Sequence, residues 1–259
     1  MNHLSYYSYQ AEARGVTEAS AIERIANSNR HLYEKIVLPW LPSDRNAKIA
    51  ELACGHGSFM HWLCQAGYSN VLGVDLSPEQ TRFASQLGLP IATADAIVWL
   101  QEQQPESYDV LVAIDFAEHV HRDDFMEVLY QAGRVLKSGG CLILRLPNGE
   151  SPFVGMNLFN DITHVWTYTP NCLATLGRMH GLHDASFEDE GTAAIRDNRW
   201  IMVPVSTIVS AVLRLVIRAA IRSRPRLLHP NLWTCLKKSE IPLQNRIADT
   251  FSTEEQRQS

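Results

Sequence analysis

Between residues 48 and 147 short apolar runs alternate with amphipathic stretches. Lys48–Cys54 (KIAELAC), Asn70–Asp75 (NVLGVD), Pro90–Ala94 (PIATA), Tyr108–Ile114 (YDVLVAI) and Cys141–Leu146 (CLILRL) have the length and apolar content of buried strands. Between them, Ser58–Ala66, a segment opening at Ser77-Pro78-Glu79-Gln80 and ending near Gly88, Ile97–Gln103 and Asp123–Leu136 carry helical spacing. Ser77 is placed as an N-cap, with Pro78 at the first helical position and Gln80 three residues after the cap. Residues 9–40 form a further helical stretch, stopped by Pro39 and Pro42, and Gly139-Gly140 is expected to close the Asp123–Leu136 helix. Strands alternating with helices predict a parallel sheet covered on both faces.

After Pro147 the rhythm changes. Residues 148–169 are turn-rich and aromatic, and connections of that length are usually functional or disordered. A helix at Pro170–His180, capped by Thr169 and stopped by Gly181, a strand at His183–Asp189, an apolar helix at 203–222 and a last strand at Leu232–Lys238 follow, then a polar tail. No internal repeat is found. The expected organisation is an N-terminal helical extension or lid over 1–44, one domain over 45–240 and a tail over 241–259.

Composition narrows the class. A chain of 259 residues, 46% hydrophobic and 20% charged, is globular and long enough for its own core. A formal net charge of −5 argues against a protein that coats nucleic acid. Five widely spaced cysteines without a CxxC argue against a disulfide framework or a zinc knuckle, and the N-terminus has no secretory pattern. A cytoplasmic protein is therefore expected. Arg196–Lys238 nevertheless holds nine basic side chains and one acid, Asp197. Within it Arg214, Arg218 and Arg222 recur every fourth residue along the apolar helix. Three readings stand for that helix: packing on the domain or on a second copy, peripheral contact with an anionic membrane surface on the inner face, or binding of a phosphorylated acceptor.

The chemistry concentrates where the first strand ends, Glu51-Leu52-Ala53-Cys54-Gly55-His56-Gly57. Glycines between a strand and a helix let backbone approach a ligand, and the helix start offers N–H groups. Asp75, at the end of the second strand, can take both hydroxyls of a ribose, and Asp95-Ala96 follows the third strand where an adenine edge would be read. A dinucleotide GxGxxG would need glycine at 60, where the residue is Met60. With Glu51 opening the turn, a cationic ligand is favoured over a pyrophosphate, and S-adenosylmethionine, with a sulfonium and an ammonium, is such a ligand.

On these residues the chain resembles the class I S-adenosylmethionine-dependent methyltransferases. Glu51, Ala53, Gly55 and Gly57 match the acid-and-glycine motif, with alanine in place of its first glycine. Asp75 with Leu76 beside it, Asp95 with Ala96, and Asp115 in Ile114–Val120 match the later positions, and Arg134–Gly140 matches the signature before the fifth strand. The resemblance implies a Rossmann-like seven-stranded α/β sheet, ordered 3-2-1-4-5-7-6 with the last strand antiparallel, helices on both faces, and S-adenosylmethionine as cofactor. It covers 45–148 strongly and 170–238 weakly.

Methyl transfer to oxygen needs a hydroxyl proton removed, and histidine suits that at neutral pH. Asn160–Thr169 places Asp161 three residues before His164, among Phe159, Trp166 and Tyr168, flat walls of the kind that bind sugar rings. His164 is the expected base or orienting group, supported by Asp161, and His119 and His121 are its rivals. Asp115, Glu118, His119, Asp161 and His164 together offer carboxylates and imidazoles that could bind Mg or Mn, but no compact ligand spacing supports this, so no metal is expected. The DITH…YTP stretch resembles methyltransferases of bacterial surface-polysaccharide pathways, which implies a glycan acceptor, free or linked to a lipid or diphosphate. Competing readings are a methyltransferase of quinones, phenols or amines, a non-catalytic adenosyl-binding scaffold and, last, an NAD oxidoreductase.

Overall fold

The computed structural model describes residues 19–191, 202–221 and 227–239. The expected tail over 241–259 and the start of the expected helix over 9–40 lie outside the described residues. From Ala19 the chain runs α1 (Ala19–Leu32), two irregular helical turns to Trp40, β1 (Ile49–Leu52), α2 (Ser58–Gln65), β2 (Val71–Asp75), α3 (Pro78–Gln86), β3 (Ile91–Thr93) and α4 (Ala96–Glu102). It continues with β4 (Tyr108–Ile114), α5 (Arg122–Val135), β5 (Leu136–Pro147), α6 (Gly155–Leu158), α7 (Pro170–Met179), β6 (Leu182–Asp189), α8 (Met202–Ile221) and β7 (Asn231–Lys238).

The seven strands form one sheet in the order β3-β2-β1-β4-β5-β7-β6. The first five pair in parallel, and β7 runs antiparallel to both β5 and β6. The apolar runs have no polar side because both faces are covered. In β4, Val110 and Val112 point into a cluster with Tyr33, Phe59, Trp62 and Trp233, while Leu111 and Ala113 join Trp99, Tyr108, Phe125 and Leu129 on the opposite face. Tyr33, Ile36, Val37 and Leu41 belong to the first of these clusters. The described part of the expected N-terminal extension is thus packed into the domain.

One boundary differs from expectation for a local reason, and one packing contact shows what replaces the dinucleotide pattern. The helix before the fifth strand stops at Val135, and β5 starts at Leu136, so Gly139-Gly140 lies inside a strand. Pairing with β4 jumps from Tyr108↔Leu136 to Val110↔Cys141, a bulge that Gly139 accommodates with φ +76°. The second concerns Met60. A dinucleotide fold keeps glycine on the helix for close packing; here fully buried Met60 lies on α2 and the glycine is on the strand. A Cβ at Gly73 of β2 would lie 2.2 Å from the Met60 sulfur and 2.7 Å from that of Cys54.

Candidate active site

The strand order reverses between β1 and β4, and the candidate cofactor-side residues lie at the C-terminal ends of β1 to β4. The backbone turns sharply there. Ala53, Gly55 and Gly57 have φ of +51°, +54° and +80°. Ala53 carries the left-handed penalty that a glycine there would avoid, about 1–2 kcal/mol. A Cβ at Gly55 would meet nothing within 4 Å, so this part of the loop faces open space.

Asp75 ties this loop to the next strand. Its Oδ2 accepts from the Gly55 N–H at 2.8 Å and its Oδ1 from the Ser77 N–H at 2.8 Å. Burial raises its pKa, and these two hydrogen bonds oppose the rise. Each oxygen retains a lone pair for a further donor. Leu76, beside it, is 55% exposed, an apolar surface at the mouth of the crevice. Asp95 is exposed and caps α4, its Oδ1 accepting from the N–H groups of Ile97 and Val98 at 2.9 and 3.1 Å; Ala96 is buried. The sequence signal at Asp95 therefore has a structural use.

Glu51 is the outstanding group. It is buried in β1, and its Oε2 has no hydrogen-bond partner. Burial, then the nearby Asp75 charge, push its pKa well above the usual carboxylate value. An orphaned buried carboxylate oxygen at the mouth of a backbone turn fits a cationic ligand, and a bound cation would reverse both effects. The sign for stability follows from the raised pKa. Glu51 favours folding below its unfolded pKa, and that contribution is lost as pH rises through the folded value. Ligand-free protein should therefore lose stability from this residue as pH rises above the ordinary carboxylate value, and Glu51→Gln should gain on wild type at pH 8 relative to pH 4. Urea unfolding at the two pH values measures this, and equal differences at both would refute it.

At the exit of β4, Asp115 also has positive φ, +53°. Its carboxylate pairs with Arg145 of β5 at 2.6 Å, and the other edge of Arg145 bonds Glu190 at 2.6 Å. Glu190 also accepts from Asn231 at 3.0 Å and from the Trp233 indole at 3.1 Å. Arg145 and Glu190 were not legible as site residues. They lie 45 residues apart, and only the β5–β7–β6 pairing brings them together.

The long connection is clasped onto this exit. Val165 N–H donates to the Glu118 carbonyl at 2.7 Å, Gly149 N–H to the Tyr168 carbonyl at 3.0 Å, and Ser151 to the Leu228 carbonyl at 2.6 Å. The clasp brings His164 against His119, ring centroids 4.6 Å apart. His164 Nδ1 meets the Leu158 carbonyl at 3.0 Å. Asp161 Oδ1 accepts from the Thr163 hydroxyl at 2.6 Å, and that oxygen lies 2.9 Å from His119 Nδ1. The support expected from Asp161 for His164 thus runs through Thr163 to His119. Burial first, and then the neighbouring His164, lower the His119 pKa to about 4, so this ring is neutral at physiological pH. Glu118 is buried beside the pair with its Oε2 unpartnered, its pKa raised well above normal by burial first and then by Asp115. One ligand atom each from Glu118, His119 and His164 lie within 4.8 Å of one another, a grouping the sequence spacing concealed.

The aromatic walls divide. Phe159 is 84% exposed, and Trp166 is half-exposed under the Arg122 guanidinium, 4.8 Å from its ring centroid. Tyr168 departs from expectation: it is buried in the core against Phe125, centroids 4.7 Å apart. An isolated parallel bridge from Asn148 holds this residue against the core, so it offers no wall to an acceptor.

Residues 50–142 match a family model described as a methyltransferase domain. No curated protein sequence is recognisably similar to the chain. Among solved structures, a SAM-dependent methyltransferase from Archaeoglobus fulgidus superposes with a TM-score of 0.65 at 19% identity, covering 90% of this chain and 100% of that one. A S-adenosylmethionine-dependent methyltransferase from Mesorhizobium loti gives a TM-score of 0.56 at 15% identity, covering 80% and 97%. A phosphoethanolamine N-methyltransferase from Haemonchus contortus, in complex with phosphomonomethylethanolamine and S-adenosylhomocysteine, gives 0.57 at 15% identity, covering 82% and 53%. Likeness at these identities is likeness of fold.

Proposed function

We propose that this class I S-adenosylmethionine-dependent methyltransferase transfers its methyl group to a hydroxyl oxygen of a sugar. The cofactor supplies the electrophilic methyl, so the chain's own task is to hold two reactants in line and to deal with the acceptor's proton. Asp75 would take the ribose hydroxyls, Leu76 and the Asp95-Ala96 corner the adenine, and Glu51 with the turn at Ala53, Gly55 and Gly57 the cationic methionine end. Asp115 would border the same cleft from β4.

The observation that carries the choice of oxygen is the histidine pair at the mouth of this cleft. Their Nδ1 atoms are anchored by Leu158 and Thr163, which leaves the Nε2 of each ring as the atom that can meet an acceptor. His164 meets the acceptor hydroxyl, taking its proton or orienting it, with His119 beside it and Asp161 holding the arrangement through Thr163. An amine that attacks as the free base has less need of such a device. Phe159 and Trp166 supply flat faces for a sugar ring, a reading that no longer includes Tyr168.

The acceptor's setting is read from α8. Among the described residues no helix is long and apolar enough to cross a membrane. Yet Ile208, Val212 and Leu215 of α8 are more than half exposed, and Arg214 and Arg218 stand among them. Exposed apolar surface with a basic stripe suits peripheral contact with anionic lipid, and hence a lipid- or diphosphate-linked glycan at the inner membrane face. The deciding experiment supplies S-adenosylmethionine with a labelled methyl to a panel of free sugars, lipid-linked sugars on anionic vesicles, phenols and amines. Label in an alkali-stable sugar ether, with protein co-sedimenting with the vesicles, is expected. Label confined to amines or phenols would refute the sugar assignment, and protein remaining in the supernatant would refute the membrane contact.

A further inference from the structure

Three electron-pair donors converge where β4 exits. The Glu118 carboxylate, the His119 ring and the His164 ring each bring a ligand atom within 4.8 Å of the other two. Glu118 is 1% exposed, and its Oε2 has no hydrogen-bond partner. Leaving such an oxygen unmet costs about 1–3 kcal/mol. Both imidazoles are held from behind. The Leu158 carbonyl can only accept, so His164 must donate through Nδ1 at 3.0 Å. The Thr163 hydroxyl spends its proton on Asp161 at 2.6 Å, so it must accept from His119 Nδ1 at 2.9 Å. Each ring thus donates through Nδ1, with a carbonyl or a hydroxyl–carboxylate relay behind it, and Nε2 is the atom left to serve as a ligand. That is the outer-shell arrangement of metal-ligating histidines.

We propose that Glu118, His119 and His164 bind a divalent first-row transition ion and that the acceptor hydroxyl coordinates to it. Two imidazoles and one carboxylate suit Mn²⁺, Fe²⁺, Co²⁺ or Zn²⁺ better than Mg²⁺ or Ca²⁺, which favour all-oxygen sets. Bonds of about 2.1 Å require the ligand atoms to close to roughly 3–3.5 Å, a rotation of side chains on an already formed site. Three protein ligands leave positions open for substrate oxygen. The ion would act as a Lewis acid on the bound hydroxyl, whose proton then passes to water, and the retained alkoxide would be the methyl acceptor. His164 is then a ligand that orients the acceptor, not its base. The role of the ion rests on the sugar-hydroxyl reading; its binding does not.

The test titrates EDTA-stripped full-length protein with MnCl₂ and follows free Mn²⁺ by electron paramagnetic resonance. One ion per chain is expected, with affinity reduced at least about tenfold in Glu118→Gln and His164→Ala and unchanged in His31→Ala. Thr163→Val, which leaves all three ligands in place, should weaken binding less, by releasing the His119 ring. Circular dichroism and calorimetry with S-adenosylhomocysteine check that each variant is folded. Stripped wild-type protein that binds the adenosyl compound but no Mn²⁺ or Zn²⁺ would overturn the metal site alone. Glu118→Gln binding the ion as tightly as wild type would also overturn it. Ion binding without binding of the adenosyl compound would instead sink the methyltransferase reading and leave the site standing.

Discussion

Asp75→Ala should abolish measurable cofactor binding at ordinary concentrations, with Kd for S-adenosylhomocysteine rising about 100-fold or more. The side chain joins two functions. Its two oxygens hold the N–H groups of Gly55 and Ser77, both at 2.8 Å, which fixes the glycine turn of β1 against the start of α3. The lone pairs that remain are the ones proposed for the ribose. Hydrogen bonds to a charged group contribute about 1.5–3 kcal/mol each, so losing the ribose contacts and loosening the turn together is worth roughly 3 kcal/mol or more. Asp75→Asn keeps one carbonyl oxygen and should fall between the two, near tenfold. Calorimetry with all three proteins measures it. An alanine variant that binds within threefold of wild type would mean that the ligand does not lie across the β1–β2 edge.

The largest effect on stability is expected at Arg145→Leu. Arg145 is half-buried between Asp115 and Glu190, and the two carboxylates keep its guanidinium charged. Burial tends to raise the Glu190 pKa, yet the adjacent Arg145 charge and hydrogen bond, with help from Asn231, bring it below the usual value. Removing the cation strands a buried carboxylate, which costs about 3–5 kcal/mol. For a domain of this size that is a fall in Tm of roughly 6–20 °C. Arg145→Leu with Glu190→Leu should recover most of the loss, because no charge is then left unpaired. The pH dependence has a definite sign. With its pKa depressed, Glu190 stabilises the wild type above its unfolded pKa, and that contribution is lost as pH falls through the folded value. In Arg145→Leu the depression is gone, so the gap between variant and wild type should narrow on acidification. Denaturant curves at neutral pH and at about pH 4 test it, and a gap that widens in acid would contradict the account.

Much of this was legible in the chain. Short apolar runs such as YDVLVAI, bounded by turn residues and alternating with helical stretches, read as strands covered on both sides, which set the class of sheet. Ser77-Pro78 and Thr169-Pro170 marked helix starts that the structure keeps, each cap oxygen accepting from the backbone three residues on. The turn at Glu51–Gly57 and the acid at 75 are local signals, since a backbone that must adopt positive φ and a carboxylate at a strand end leave marks within a few residues. The same locality misled at two places. Gly139-Gly140 has the form of a helix stop but serves a bulge, because pairing with β4 starts earlier than the apolar run does. Tyr168 has the form of an acceptor wall but is core, because which side of an irregular loop faces inward depends on what the loop lies upon.

The sequence by itself determined the alternation of elements, the class of the sheet, and the glycine turn and acid at the ends of the first two strands, since each depends on hydrophobic period or on groups a few residues apart. Only the tertiary structure decided that Met60 packs against Gly73, that Arg145 joins Asp115 to Glu190, and that Asp161 reaches His119 through Thr163. It alone brought Glu118 and His119 up to His164. These contacts join segments that follow no shared period along the chain, and they exist because the sheet order and the clasp of the long connection bring those segments into one place.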